Sequence, residues 1–197
     1  MYYVVGLGNP GEQYERTRHN VGMIVADGVR EELGFAPWER DGARQAEVSR
    51  GTVNSQELTL IKPTTYMNRS GEAIKRFVER GSEDRLVVIH DDIDLPRAEL
   101  RLSYNRGAGG HRGVQSIEKA LGSKAFLRVR VGVSPVTLFG TMKKPRGEEA
   151  VHRLVLGRFS SRELRHISAS ALTVRRIVEL FVTDGRERTM STWKTVV

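Results

Sequence analysis

The chain has 197 residues, which is the length of one globular domain. Hydrophobic residues make up 39% and charged residues 28%, and no apolar run approaches the roughly 18 residues of a transmembrane helix. Because cysteine is absent, disulfides, thiolate catalysis and sulfur-bound metal sites are excluded. The first residues lack a basic segment followed by a long apolar one, so we expect no secretory signal, no membrane association and a cytoplasmic protein.

Positive charge is concentrated in one part of the chain. The net charge is +8, and the stretch from Arg97 to Arg158 contains nine arginines and four lysines against four glutamates. Clustered arginines and lysines bind polyanions by releasing the counterions of phosphate groups. The stretch therefore indicates either a face that binds nucleic acid or the solvated surface of an arginine-rich protein.

The first eighty residues predict two strand regions and two helices. Short β-branched or alternating runs indicate the strands, and apolar residues at helical spacing indicate the helices. In order, these are a strand over residues 2–6, a helix over 21–33 closed by Gly34, a hairpin of 46–52 and 57–62, and a helix with Ser70 as its N-cap.

The rest of the chain continues the alternation of strands and helices. The continuous apolar run of residues 86–89 predicts a strand buried on both faces, which ends in His90-Asp91-Asp92. Strands over 99–104 and 126–133, a helix over 114–121, a mobile loop near 134–149, an amphipathic helix over 164–181 and a polar tail from Thr183 follow. We therefore predict a single domain over residues 1–197, of the three-layer α/β/α class with a twisted mixed sheet and a C-terminal helical region.

The segment from Gly6 to Gly11 matches the G-x-G-x-x-G pattern of dinucleotide-binding folds. In those folds a helix with an apolar face follows, but residues 12–20 offer no such face, and residues 35–40 make a poor second strand. We predict instead a tight loop at the end of the first strand. Polar side chains follow it at the edge where open α/β sheets hold their sites.

His19 lies in that polar segment, just before a helix. An imidazole there is suited to act as a general base near neutral pH, and Asp91 at the end of the buried strand is the candidate partner that fixes its tautomer. A metal site of His90, Asp91, Asp92 and Asp94 is the alternative, although strand alternation sends Asp91 and Asp92 to opposite faces. We expect no metal and no cofactor.

The glycine-rich segment 107–113 opens a predicted helix. It lacks the Gly-Lys-Ser/Thr of a P-loop, so nucleotide hydrolysis is not indicated. Its backbone at a helix N-terminus predicts an anion cradle, with a flexible turn as the plainer interpretation. Since the chain has no G-x-S-x-G, a hydrolase of this sequence would use water as its nucleophile.

Four segments together resemble the bacterial peptidyl-tRNA hydrolase family: GLGNPGEQYERTRHNVG, KPTTYMNRSG, HDDIDLP and GGHRGVQSI. They occur in the order and spacing of that family, and the resemblance extends to the FVTDG segment at residues 181–185. It implies a monomeric, metal-independent esterase with an α/β/α fold. Such an enzyme cleaves the ester that joins a peptide to the terminal adenosine of tRNA, so that tRNA is reused after abortive translation.

The resemblance also implies roles for individual residues. The catalytic base falls on His19, its partner acid on Asp91, and the asparagine that distinguishes blocked from free aminoacyl groups on Asn9. Arg112 departs from the pattern, because relatives usually have asparagine there, and we expect it to replace an amide contact with an ionic one. The other implied contacts to tRNA or peptide are Tyr14, Tyr66, Met67, Asn68, His111 and Arg130.

Binding of RNA without turnover is the alternative function, since the family also includes a plant relative recruited to RNA splicing. The presence of Asn9, His19, Asn68 and Asp91 favours the enzyme. A dinucleotide-dependent enzyme is a more distant alternative, because the segment after Gly11 does not fit it.

Overall fold

The computed structural model describes residues 1–137 and 141–193. Over these residues seven strands form one sheet, in the order β2-β3-β4-β1-β5-β7-β6, and five α-helices accompany it. In chain order the elements are β1 (Tyr2–Gly6), α1 (Val21–Glu32), β2 (Glu39–Asp41), β3 (Ala46–Val53), β4 (Gln56–Pro63), α2 (Ser70–Ile74), β5 (Leu86–Pro96), β6 (Leu100–Tyr104), α3 (Arg112–Leu121), β7 (Leu127–Ser134), α4 (Glu148–Leu156) and α5 (Ser161–Thr192).

The sheet is mixed, with a parallel centre and antiparallel outer strands. β1 runs parallel to β4 and β5, and β5 runs parallel to β7, whereas β2, β3 and β6 are antiparallel to their neighbours. The carboxyl ends of β1, β5 and β7 therefore meet at one edge of the sheet, which is where α/β proteins hold their ligands.

Helices cover both faces of the sheet, so the predicted three-layer α/β/α class is confirmed. Val4 packs with α1 and α5 in one core, and its neighbour Val5 packs with α2 and α3 in the other. This alternation follows from the strand period of two, because successive side chains point to opposite faces. β5 has buried residues on both faces, as its continuous apolar run predicts.

Gly22 sets the distance between α1 and the sheet. A Cβ at this position would lie 2.3 Å from the carbonyl oxygen of Ile89 and 2.5 Å from the amide nitrogen of Leu7, so a larger residue cannot occupy it. The close approach places the residues just before α1, His19 and Asn20, beside the carboxyl ends of β1 and β5.

Two local predictions about elements were wrong. Ser70 is not an N-cap: a 3-10 turn over Met67–Arg69 runs directly into α2, and the hydroxyl of Ser70 donates a hydrogen bond to the carbonyl of Met67 instead. β5 does not end at Asp92, because after a register shift it continues to Pro96, which lies opposite Ser134 of β7.

The C-terminal third is more helical than its sequence predicts. α4 occupies residues taken as the end of the loop near 134–149, and α5 continues through the expected polar tail to Thr192. Of that loop, residues 138–140 lie outside the described residues, and its mobility stays a prediction. No helix in the described ranges is long and apolar enough to cross a bilayer.

α5 is broken at Gly185, where φ is 79° and ψ is 177°. Only glycine adopts this conformation without strain. The residues after the break turn back to the sheet edge, where Arg186 lies over the ring of Tyr104 at 4.0 Å. The last turns of α5 are thus placed beside β6, the outermost strand of the sheet.

Candidate active site

His19 and Asp91 form a hydrogen-bonded pair at the carboxyl edge of the sheet. Nδ1 of His19 lies 2.8 Å from Oδ1 of Asp91. His19 comes from a 3-10 turn that precedes α1, and Asp91 comes from β5, where its side chain is only 3% exposed. The structure therefore brings together the two residues that the sequence analysis paired.

His111 is a second imidazole on the same carboxylate oxygen. Its Nε2 lies 2.8 Å from Oδ1 of Asp91, while its Nδ1 accepts hydrogen bonds from the backbone amides of Gly113 and Val114 at 3.1 and 3.2 Å. Since Nδ1 of His111 accepts these bonds, Nε2 must carry the ring proton, and its N–H donates a hydrogen bond to Asp91. The His111 side chain thereby caps α3 and anchors Asp91 at the same time.

These bonds determine the state of His19 as well. The ionised Asp91 accepts on Oδ1, so the Nδ1–H of His19 donates to it, and the unprotonated Nε2 of His19 is left for the groove. A neutral imidazole held in this tautomer is the form that a general base requires.

The charges of the site follow from burial and pairing. Burial lowers the pKa of His19, but the negative charge of Asp91 and its hydrogen bond raise it more, so the pKa lies above the usual 6.5. Burial raises the pKa of Asp91, but His19 and His111 lower it much further, so Asp91 stays ionised at neutral pH. Burial, followed by the nearby His111, holds the pKa of His90 well below 6.5, so His90 is neutral.

The four residues of the alternative metal site are not gathered into one cluster. His90 donates to the backbone carbonyl of Asp91, Asp92 accepts from Arg130 at 2.6 Å, and Asp94 pairs with Lys144. Among the described residues the one group with suitable spacing is His19, Asp91 and His111. That group does not fit a cation, because Nε2 of His111 must be protonated when two amides donate to its Nδ1.

Asn9 is held in one orientation by its neighbours. Its Oδ1 accepts from the amide of Met67 at 2.8 Å, so its Nδ2 donors remain available to the groove. The side chain of Asn20 bonds to both backbone groups of Asn9. The backbone amide of Asn9 donates to Oδ1 of Asn20, and Nδ2 of Asn20 donates to the backbone carbonyl of Asn9, each at 2.8 Å. Asn20 is 2% exposed, and it is a site residue that the sequence analysis missed.

A single groove of about 1750 Å³ passes over this cluster. Tyr66, at the rim, is 55% exposed, whereas Met67 is buried at the floor. Every residue assigned by resemblance lines the groove: Asn9, Tyr14, His19, Tyr66, Met67, Asn68, Asp91, His111, Arg112 and Arg130.

The glycine-rich segment forms one wall of the groove, but it is not an anion cradle at a helix N-terminus. The side chain of His111 takes up the amides of Gly113 and Val114 that would bind an anion. A second missed residue holds this wall: the buried guanidinium of Arg128 donates to the carbonyls of Gly107 and Arg106 at 3.2 and 3.0 Å. Alternation along β7 could have indicated Arg128, because it shares a face with Arg130.

Arg112 reaches across the groove to α4. Its guanidinium lies 3.1 Å from Oε1 of Glu148, and both side chains are largely exposed, at 65% and 87%. A carboxylate of the protein itself therefore occupies the guanidinium for which the sequence analysis expected an ionic contact with the substrate.

A histidine–aspartate pair in an open groove at the carboxyl edge of an α/β/α sheet is an arrangement typical of enzymes that transfer protons. The sequence model of one family, peptidyl-tRNA hydrolase, matches residues 3–196. The chain belongs to the peptidyl-tRNA hydrolase family.

Individual relatives agree with this membership. The peptidyl-tRNA hydrolase of Afipia carboxidovorans is 40% identical over 185 residues, which cover 92% of this chain and 86% of the relative. That of Thermodesulfovibrio yellowstonii is 34% identical over 195 residues, with 97% of each chain covered. Among solved structures, the peptidyl-tRNA hydrolase of Acinetobacter baumannii superposes with a TM-score of 0.83 at 27% identity, covering 98% of this chain and 94% of that one.

Proposed function

We propose that the chain hydrolyses the ester bond between the peptide, or an N-blocked aminoacyl group, and tRNA, with His19 as the general base and Asp91 as its orienting partner. The observation that carries this proposal is the 2.8 Å bond from His19 to Asp91, which leaves Nε2 of His19 unprotonated at the groove. Membership of the peptidyl-tRNA hydrolase family supports the substrate.

The reaction needs one water and one base. Nε2 of His19 accepts a proton from the water as the water oxygen attacks the ester carbonyl carbon. When the tetrahedral intermediate collapses, the bond to the ribose oxygen breaks and His19 returns the proton to that oxygen. Asp91 stays ionised throughout and stabilises the imidazolium, as in other histidine–carboxylate pairs. General-base assistance of this kind contributes on the order of 10²–10⁴ in rate.

The groove supplies neutral donors where the substrate carbonyls would lie. Nδ2 of Asn9 is available because Met67 occupies Oδ1, and the exposed Asn68 lies beside Met67 on the same wall. Such amides can bind the peptide backbone or the developing oxyanion. We also expect the protein to bind the acceptor end of tRNA, and to act as a monomer in the cytoplasm.

The test compares N-acetylaminoacyl-tRNA with free aminoacyl-tRNA as substrates of the parent protein and of His19→Ala, with release of the acyl group as the readout. A peptide amide carries no charge, whereas a free α-amino group has a pKa of about 8 and is largely protonated at neutral pH, so we expect the blocked substrate to be cleaved much faster. His19→Ala should lose a factor on the order of 10²–10⁴ in rate and keep its affinity for tRNA.

Three results would contradict the proposal. Equal rates on both substrates would leave a general esterase, and turnover by His19→Ala within a few-fold of the parent would remove His19 from the chemistry. Binding of tRNA by the parent without release of the acyl group would favour the alternative of RNA binding without turnover.

A further inference from the structure

The groove carries little net charge, although its substrate would be a polyanion. Arg112 and Arg130 are paired with Glu148 and Asp92, and Arg128 is committed to backbone carbonyls. Among the described residues that line the groove, the carboxylates outnumber the arginines by six to five. The arginines are Arg106, Arg112, Arg128, Arg130 and Arg186, and the carboxylates are Asp91, Asp92, Asp94, Glu148, Glu149 and Glu187. Most of the attraction for RNA phosphates must therefore come from outside the groove.

A group of unpaired arginines lies just beyond one rim of the groove. We call Arg16, Arg158, Arg162 and Arg165 the arginine patch. All four are exposed, and within the described part of the chain no carboxylate oxygen lies within 4.0 Å of their guanidinium groups.

Backbone pairing joins the two halves of this patch. Thr17 and Arg158 form an antiparallel bridge, and the amide of Phe159 donates to the carbonyl of Arg16 at 2.8 Å. The capping box of Ser160 fixes the start of α5 directly afterwards, and Arg162 and Arg165, three residues apart, share one face of its first turns.

The acidic residues near the patch do not cancel it. Glu163, in the first turn of α5, is held between Arg18 and Arg97, so its single charge is outweighed by theirs. Glu12 and Glu15 are exposed on the segment before Arg16 and remain the local opposing charges.

The patch is continuous with the groove. Tyr14 and Leu156 both line the groove, and each lies two residues before a patch arginine, Arg16 and Arg158. An RNA whose terminal adenosine occupies the groove can leave it over this rim with its phosphates along the patch. Guanidinium groups suit such a contact, because their planar donors match phosphate oxygens.

We propose that the arginine patch is a second RNA-binding surface, which binds phosphates of the tRNA body while the groove holds the acylated end. This inference rests on the proposed function, and it adds a site that the catalytic cluster does not contain. It requires that the patch matter for full-length tRNA and not for a substrate reduced to its terminal nucleoside.

The experiment uses the triple variant Arg158→Gln, Arg162→Gln and Arg165→Gln. Hydrolysis of N-acetylaminoacyl-tRNA is compared with hydrolysis of N-acetylaminoacyl-adenosine, which has no tRNA body. We expect KM for the full tRNA to rise about tenfold or more, kcat to change little, and the nucleoside substrate to be unaffected. The slope of log K against log salt for tRNA binding should become shallower by about 2, since each phosphate contact contributes roughly −0.7 to −0.9.

The matched control removes the same charge from the opposite edge of the sheet. Arg80, Arg85 and Lys124 are exposed, lie near the beginnings of β5 and β7, and do not line the groove. Changing these three to Gln should leave the salt slope and both substrates at the parent values. The triple variant Arg158→Lys, Arg162→Lys and Arg165→Lys keeps the charge and should retain most of the affinity.

Several outcomes would overturn the inference. One is a KM and salt slope for tRNA in the patch variant equal to those of the parent, and another is an equal loss in the control variant. A loss on the nucleoside substrate as well would show that these arginines support the catalytic site instead. If the triple variant unfolds at a lower temperature, Arg16→Gln alone should still make the slope shallower by roughly one contact. A parent protein that cleaves neither substrate would instead overturn the proposed function.

Discussion

A single oxygen of Asp91 accepts hydrogen bonds from both His19 and His111. The donors come from different parts of the chain, and each is fixed by its own neighbours, His19 by the turn before α1 and His111 by the amides that begin α3. Loss of the charge on Asp91 would therefore change the pKa of His19 without removing the ring from its place.

The pH dependence of Asp91→Asn tests this arrangement. In the parent, kcat/KM should rise with pH through an apparent pKa above 6.5, because the base works only when it is unprotonated and Asp91 raises its pKa. Without that charge, burial and the nearby positive charge of Arg112 both lower the pKa of His19, so the acidic limb of the pH–rate profile should move to lower pH. The rate should fall less than in His19→Ala, since Asp91 orients the base and does not react.

Rate profiles from pH 5 to 9 on a blocked aminoacyl-tRNA provide the measurement. Circular dichroism at the same pH values serves as the control for folding. If the acidic limb of the kcat/KM profile of Asp91→Asn lies at the same pH as in the parent, the group that titrates is not His19.

Asn20 holds the backbone of Asn9 and does not itself line the groove. Asn20→Ala removes two buried hydrogen bonds to the Asn9 backbone, which we expect to cost about 1–3 kcal/mol of stability and to reduce kcat/KM roughly tenfold. The preference for blocked over free aminoacyl groups should fall with it, because Nδ2 of Asn9 is no longer held toward the groove.

A double-mutant cycle separates positioning from general destabilisation. If Asn20 acts through Asn9, the double variant of Asn9→Ala and Asn20→Ala should be no slower than Asn9→Ala alone, because coupled residues do not add. Losses that add would assign Asn20 a purely structural part. Thermal unfolding of all three variants gives the stability change to be set against the rates.

At the scale of elements, α3 and α4 face each other across the groove and are bridged by Arg112 and Glu148. An exposed ion pair of this kind contributes only about 0–1 kcal/mol, so a phosphate can compete for Arg112. The bridge thus places a binding group and its competitor at opposite walls of the same groove.

Arg112→Asn and Glu148→Gln should therefore have opposite effects on tRNA affinity. The first should weaken binding and make the salt slope shallower by roughly one contact, and the second should strengthen binding because it removes the competing carboxylate. Binding titrations at several salt concentrations provide the measurement, with single-turnover rates as the control. An unchanged slope in Arg112→Asn would mean that Arg112 makes no phosphate contact, and a collapsed single-turnover rate would place it in the chemistry.

At the scale of the whole molecule, local patterns in the sequence predicted the layers and the pair of His19 and Asp91, whereas the resemblance supplied the other residues of the groove. The apolar run of β5 and the spacing of α1 are local signals, but the pairing of β1 with β5, which brings His19 to Asp91, was not predicted. That His111 both caps α3 and anchors Asp91 depends on atoms twenty residues apart. Arg128 resembles an exposed strand residue in sequence, since its burial depends on carbonyls of a distant loop.

The helical end of the chain was missed for a related physical reason. The residues after Thr183 are polar, so they predict a solvated tail, and their helix is stabilised by packing against the sheet edge. α4 is short and has one fully buried residue, Val155, so its periodicity is weak. In both places tertiary contacts decide a conformation that local propensity leaves open.

The break at Gly185 has a practical use, because it places Ser191 in the wall of the groove, within reach of whatever enters it. The chain contains no cysteine, so Ser191→Cys would create its sole thiol. Ser191 is exposed, and within residues 1–137 and 141–193 its hydroxyl bonds only to the carbonyl of Arg188 one turn earlier, so a fluorophore attached there would disturb little of that part of the fold. Such a dye would report occupancy of the groove in real time, during single encounters with RNA and independently of any cleavage.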